Sequence, residues 1–311
     1  MAKLSFFQKF FYGLGGGVNA VKTDFFVFYL GFFYLTVVGL SPLYTGLALF
    51  LALVLDAFTD PLIGSISDRL KTKYGRRHYL MMISLLPILV SYLMLFFPIN
   101  TWVDNEILIF LWLLFFSSLT RFCVTLFDIP HRALGGEITK NYEDRTLLMS
   151  WREMISWVAG LSNAFLAYGL FFASTPEYPQ GQLNPDAWLP FALTGAFVMS
   201  ITVLYSTFTT KSDISSLSKW SGSVSIKDIF SELKIAIGNS SFLVFFFGNL
   251  FLSLSWGLAN TLTLFVNTYF WEFEASQIKY FIPIYLVSTL FAFYLAPRMV
   301  KIFDKRNVVL L

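Results

Sequence analysis

Two carboxylates, Asp56 and Asp60, sit inside the apolar run 43–66. On a helix, a spacing of four places both on one face. An aspartate at membrane depth costs about 2.5–3.5 kcal/mol on the insertion scale, so such residues mark a functional site by default. Neighbouring apolar runs carry more polar groups: Asn19, Lys22 and Asp24 in one, Arg121, Thr125 and Asp128 in another. Arg121, Thr125 and Asp128 are spaced four and three and share a helix face, as do Asn19 and Lys22. Asp24 points elsewhere, towards the rim. The set holds two basic side chains against four aspartates. A low-dielectric interior does not hold such an imbalance unfilled, and either protonation of a carboxylate or a bound monovalent cation fills it. That is the chemistry of cation coupling. A structural reading competes with it, in which Lys22 pairs with one aspartate and Arg121 with another to hold helices in register.

The elements that must position these groups are membrane helices. Of 311 residues, 56% are hydrophobic and only 13% charged, the balance of a polytopic membrane protein. Eight apolar runs approach the roughly 20 residues a crossing needs: 12–38, 43–66, 79–97, 107–127, 154–173, 188–208, 242–265 and 278–295. Long apolar runs, rather than short alternating ones, predict helices and not strands. The lysines and arginines cluster in the segments on one side, whereas the opposite side holds only Lys279. The positive-inside rule therefore puts the N-terminus in the cytoplasm of a multi-pass protein of the cell (inner or plasma) membrane. The first run is too long and too polar for a cleavable signal.

Enzyme classes find no support. Cys123 is the single cysteine and His78 and His131 the two histidines, too few for a disulfide or a metal cluster. P-loop, GxSxG and HExxH patterns are absent, and no cofactor is implied; the sole candidate metal is a coupling Na+. An intramembrane aspartyl protease needs aspartates on two facing helices and a GxGD motif, which this sequence lacks. The basic residues follow membrane topology rather than one patch, so nucleic acid is not a partner.

Six helices, a long connection and a further helical set make the plan of a transporter with two six-helix halves. On that plan residues 1–208 form an N-terminal bundle. Residues 209–241 are a cytoplasmic connection with an amphipathic stretch at 226–237. Residues 242–311 begin a second bundle. The sequence stops where a ninth helix is due, which predicts a partial sequence of a longer transporter, non-functional as a fragment. Asp68, Arg69 and Arg76 form a charged latch at the cytoplasmic end, with Glu137 and Arg145 of the loop 130–146 as partners. Trp256 and Asn260, four apart, face the central cavity and the substrate. Gly13, Gly15, Gly16 and Gly17 allow close helix packing or a bend. Trp188, Tyr269 and Trp271 fall where interfacial aromatic belts are expected.

Asp56-x3-Asp60-Pro61-x2-Gly64-x3-Asp68-x6-Gly75-Arg76 resembles the signature of the glycoside–pentoside–hexuronide:cation symporters, the melibiose-permease-like branch of the major facilitator superfamily. Tyr12-Gly13-Leu14-Gly15, Val38-Gly39-Leu40, Asp128-Ile129-Pro130, Glu137-Ile138-Thr139 and Arg145-Thr146 continue the likeness. The resemblance implies an all-α membrane fold of twelve helices, about eight of them present here, working by alternating access as a monomer. It implies a cation site of Asp56, Asp60, Thr125 and Thr59. Asp128 would join it to the sugar site; the buried polar set, rather than the likeness, adds Asn19, Lys22 and Arg121 to the substrate side. It implies uptake of a sugar or glycoside with H+ or Na+; a related lipid-carrying branch makes a lysolipid or other amphipathic solute the alternative. Three positions depart from the pattern. Ala20, beside Asn19, takes the place of the family's sugar-holding aspartate on helix one, Lys22 has no counterpart, and Arg132 replaces a tryptophan that packs on the sugar. A galactoside is not expected, and Lys22 takes up charge space that sodium would otherwise fill.

Overall fold

The computed structural model of the chain describes residues 5–70, 72–97, 105–139, 141–210 and 237–292, with the isolated positions 295 and 299. Helix α1 runs over Phe6–Val38, with π-helical turns at Phe25–Tyr29 and Phe33–Val38. It is followed by α2 (Pro42–Arg69), α3 (His78–Met94), α4 (Glu106–Ile138), α5 (Tyr142–Leu166) and α6 (Trp188–Thr209). Then come α7 (Ser240–Phe265), a single turn at Ala275–Ile278, and α8 over 281–292. Among the described residues six helical stretches are long and apolar enough to cross a membrane, with His78–Met94 shorter.

Ends follow local chemistry. Ser5 and Gln8 cap α1 reciprocally, each side chain bonding the other's backbone N–H. Gly39, at φ 80°, stops α1 in the left-handed region that a residue without Cβ enters freely. Proline stands inside two helices, at Pro61 of α2 and Pro130 of α4. Both follow shortly after an acidic residue, and each lacks the N–H that would close its turn.

α1 packs on α5 and α6, α2 lies along α4, α3 contacts α4 and α6, and α7 meets the π-turn of α1. Close approach of α1 is written in glycine. A Cβ at Gly16 would strike the Arg152 backbone carbonyl, and one at Gly13 would meet Ile155 and Trp151. Of the two uses open to these glycines, close packing is the one the contacts support. Because the obstacle at Gly16 is backbone, Gly16→Ala should cost about 1–3 kcal/mol. Gly46, with nothing within 4 Å, should accept alanine without loss. The difference between the two unfolding midpoints in detergent checks this, and equal midpoints would refute it.

Two boundaries differ from the sequence reading. α4 continues to Ile138 instead of ending near 127, and α5 begins at Tyr142 instead of 154. Most of the expected loop 130–146 is therefore helix. Of its described polar residues His131, Thr139 and Asp144 are buried while Arg132, Asn141, Arg145 and Thr146 are exposed, and this mixed polarity makes a hydropathy window end the span too early. Trp188 is a second correction. It is fully buried among Phe32, Phe33, Phe96 and Phe172 and its indole Nε1–H donates to the Gln182 carbonyl at 3.1 Å, so it is core rather than interfacial belt. Trp271 and Tyr269 are exposed, as a belt requires. The connecting segment and its amphipathic stretch lie, but for their ends, outside the described residues.

Candidate functional site

Helix period alone places Asp56 and Asp60 on one face of α2, and packing of α2 along α4 turns that face towards Thr125. The Thr125 hydroxyl lies 2.8 Å from Asp60 Oδ1 and 3.3 Å from Asp56 Oδ1. A hydroxyl has one proton to donate, so at any moment it serves one carboxylate, and Asp60 is the nearer. The other oxygen of Asp56 is held by two cations. Arg121 Nη1 donates to Oδ2 at 3.0 Å, and Lys22 Nζ stands 3.7 Å from the same atom. The guanidinium of Arg121 also lies over the Phe26 ring, 4.3 Å from its centroid. All three side chains are shielded, at 17% exposure for Lys22, 13% for Asp56 and 11% for Arg121. Lys22 and Arg121 therefore both converge on Asp56, rather than taking one aspartate each.

Thr59 turns away from this constellation. Its hydroxyl donates to the Asp56 backbone carbonyl at 3.2 Å, a local bond within α2. Asn19 is half-buried and has no hydrogen-bond partner among the described residues. Asp24 is not at the rim: its carboxylate abuts Gly160 of α5, where a Cβ would come within 2.7 Å of Oδ2.

Asp128 belongs to a different cluster from the one expected. Arg132 Nε donates to Oδ2 at 2.7 Å, the Arg152 guanidinium donates to Oδ1, and Arg152 also donates to Glu153 at 2.9 Å. Arg152 is 1% exposed. Beside it, Tyr12 and His131 stack at 4.5 Å between ring centroids. The Tyr12 hydroxyl donates to the His131 carbonyl at 3.2 Å, and His131 Nε2 lies 3.1 Å from the Tyr12 carbonyl. Among the described residues no hydrogen bond or ion pair joins Asp128 to the Asp56–Asp60 pair. The physical reason is rotation: three residues from Thr125 to Asp128 leave about 60° around the helix, enough to face α5 in place of α2. Arg152 was missed as a site residue because its charge read as a topology marker just before an apolar run. The early start of α5 carries it into the bundle.

At the basic end, Glu137 receives both Arg76 and Arg77, the latter through Nε at 2.8 Å. Arg77 Nη2 donates to Asp68 at 3.0 Å and Nη1 to Ser67 at 3.4 Å. Arg77, which the latch reading omitted, thus links α2 to α4. Arg145 bonds the Gly136 carbonyl at 3.2 Å, tying α5 to the end of α4 rather than joining Asp68 in the latch. Arg69 closes α2 as its last residue.

Trp256 and Asn260 remain on α7. The Asn260 amide donates to the Trp256 carbonyl of its own helix at 2.7 Å, and Trp256 is 53% exposed. The described structure does not bring either to the carboxylates. The π-helical continuation of α7 at Val266–Phe270 is instead tied to the connection before α6, where Gln182 Nε2 donates to Thr268 Oγ1 at 2.9 Å and Gln180 Nε2 to the Thr268 carbonyl at 2.8 Å.

Known proteins share this arrangement of sequence. An uncharacterized symporter of Synechocystis is 32% identical over 186 residues, 58% of this chain and 34% of that protein. A putative glycoside/cation symporter of Escherichia coli is 26% identical over 244 residues, 77% of this chain and 49% of that protein. The sodium-dependent lysophosphatidylcholine symporter 1 of Xenopus tropicalis is 31% identical over 162 residues, 51% and 30% respectively. The chain thus spans between about a third and a half of the length of these relatives. With helices long enough to cross a bilayer several times, a membrane-embedded carboxylate pair, and a match over residues 11–311 to the family described as MFS/sugar transport protein, the chain belongs to that family.

Proposed function

We propose that this chain serves in a secondary active transporter that moves a sugar or glycoside across the cell membrane together with a monovalent cation, by alternating access. On this reading α1–α6 form one half and α7 and α8 open the second, with the N-terminus in the cytoplasm. The observation that carries it is the Thr125 hydroxyl set between Asp56 and Asp60, across the α2–α4 contact. Carboxylates are expensive at that depth, and pairing through a neutral hydroxyl leaves Asp60 without a salt-bridge partner among the described residues. The Asp68–Arg77–Glu137–Arg76 network is the latch that holds one access state. A relative named as a glycoside/cation symporter supports the sugar reading. A second reading, transport of a lysolipid, has the support of a relative named as a lysophosphatidylcholine symporter.

Uptake into proteoliposomes by the transporter in which this chain serves is the test, over a panel of labelled glycosides and lysophosphatidylcholine, with sodium and proton gradients imposed separately. Accumulation of one solute driven by one of the two gradients, and lost in Asp60→Asn, is the expected result. Accumulation indifferent to both gradients would sink the coupling reading. A response confined to the lipid would select the second solute class.

A further inference from the structure

We propose that Lys22 is a tethered counter-ion that fills the cation place beside Asp56 and Asp60, so that this site takes no alkali-metal ion while the lysine is present. The proposal rests on the carboxylate pair being the coupling site.

Charge comes first. Around the pair stand two cations, Lys22 and Arg121, against two carboxylates, Asp56 and Asp60. The imbalance that the sequence suggests is absent once the remaining aspartates are placed. Asp128 is neutralised in its own cluster by Arg132 and Arg152, and Asp24 abuts Gly160 of α5, with no ion pair or hydrogen bond to Lys22 or Arg121 among the described residues. Adding a sodium ion would leave the pair with an uncompensated positive charge in a poorly screened interior.

Coordination points the same way. A hard cation is held by several oxygen lone pairs directed at it. Asp56 Oδ2 is already shared by an ammonium and a guanidinium, and Asp56 Oδ1 and Asp60 Oδ1 both face the Thr125 hydroxyl. The Thr59 hydroxyl is spent on backbone.

The two cations are not equivalent. Arg121 is fixed by its bond at 3.0 Å and by the Phe26 ring beneath it. Lys22, at 3.7 Å, makes an ion pair without a tight hydrogen bond, on a flexible stem. Removing the Lys22 charge would leave one cation against two carboxylates, a vacancy for one monovalent ion. Lys22 therefore decides which ion this site accepts.

The experiment follows thermal unfolding of the purified full chain in NaCl and in choline chloride at equal ionic strength. Wild type and Lys22→Arg are expected to show the same midpoint in both salts. Lys22→Met, which keeps the aliphatic stem, is expected to gain a saturable sodium-specific rise of about 3 °C or more. Lys22→Met/Asp60→Asn should lose that gain. A saturable sodium-specific rise in wild type would overturn the proposal, whatever the variants do. So would a folded Lys22→Met that is indifferent to sodium. Unchanged uptake in Asp60→Asn would instead remove the coupling-site reading, so the two failures are distinguishable.

Discussion

Arg152→Ala is expected to destabilise the folded chain by about 3–5 kcal/mol, the cost of leaving a buried charge without its partner. Asp128 is 8% exposed and Arg152 is 1% exposed, so neither can turn to water when the other is lost. Arg132 would remain on Asp128, but its side chain is 47% exposed and its pairing lies within one helix. Arg132→Ala should therefore cost no more than about 1 kcal/mol. The double variant Arg152→Ala/Asp128→Ala removes both charges and should recover much of the loss, since the pair itself contributes little beyond compensating its own desolvation. Unfolding midpoints in mixed detergent, converted to free energies, test the series. An Arg152→Ala chain within 1 kcal/mol of wild type would show that water reaches Asp128. It would also mean that the cluster adds little to the joining of α4 and α5.

The carboxylate pair should be asymmetric in the same measurement. Asp56 accepts two cations at one oxygen, whereas Asp60 accepts a hydroxyl. Asp56→Ala strands Lys22 and Arg121, both shielded, and is expected to cost about 3–5 kcal/mol. Asp60→Asn keeps an oxygen for Thr125 and should stay within about 1 kcal/mol of wild type. Transport should rank them differently. Asp60→Asn folds but loses cation dependence, while Asp56→Ala fails for want of a stable bundle. Equal stability losses at the two positions would mean that the cations redistribute onto Asp60, and would remove the distinction between a structural and a coupling carboxylate.

Much of this was legible before any tertiary contact. The periodicity of apolar runs, the sidedness of lysine and arginine, and the four-residue spacing of Asp56 and Asp60 are properties of single helices. They follow from bilayer thickness and helix geometry. So does the register of Thr125 with Arg121, four apart on α4, which reach the same aspartate. The charged partners Arg76 and Glu137 were legible too, because both stand in charged stretches on the same side of the apolar runs.

Which helix faces which is not a property of one helix. Lys22 and Arg121 could each have taken an aspartate; the packing of α1 and α2 on α4 sends both to Asp56 and leaves Asp60 to a hydroxyl. Asp128, read with the cation site from its spacing, faces α5 because a turn of about 60° past Thr125 changes its neighbour. Arg152 and Trp188, assigned to the membrane's edges by their residue types, are two of the largest fully buried side chains. In each case residue type told what the group costs to bury, while only the arrangement of several helices determined which partner offsets that cost.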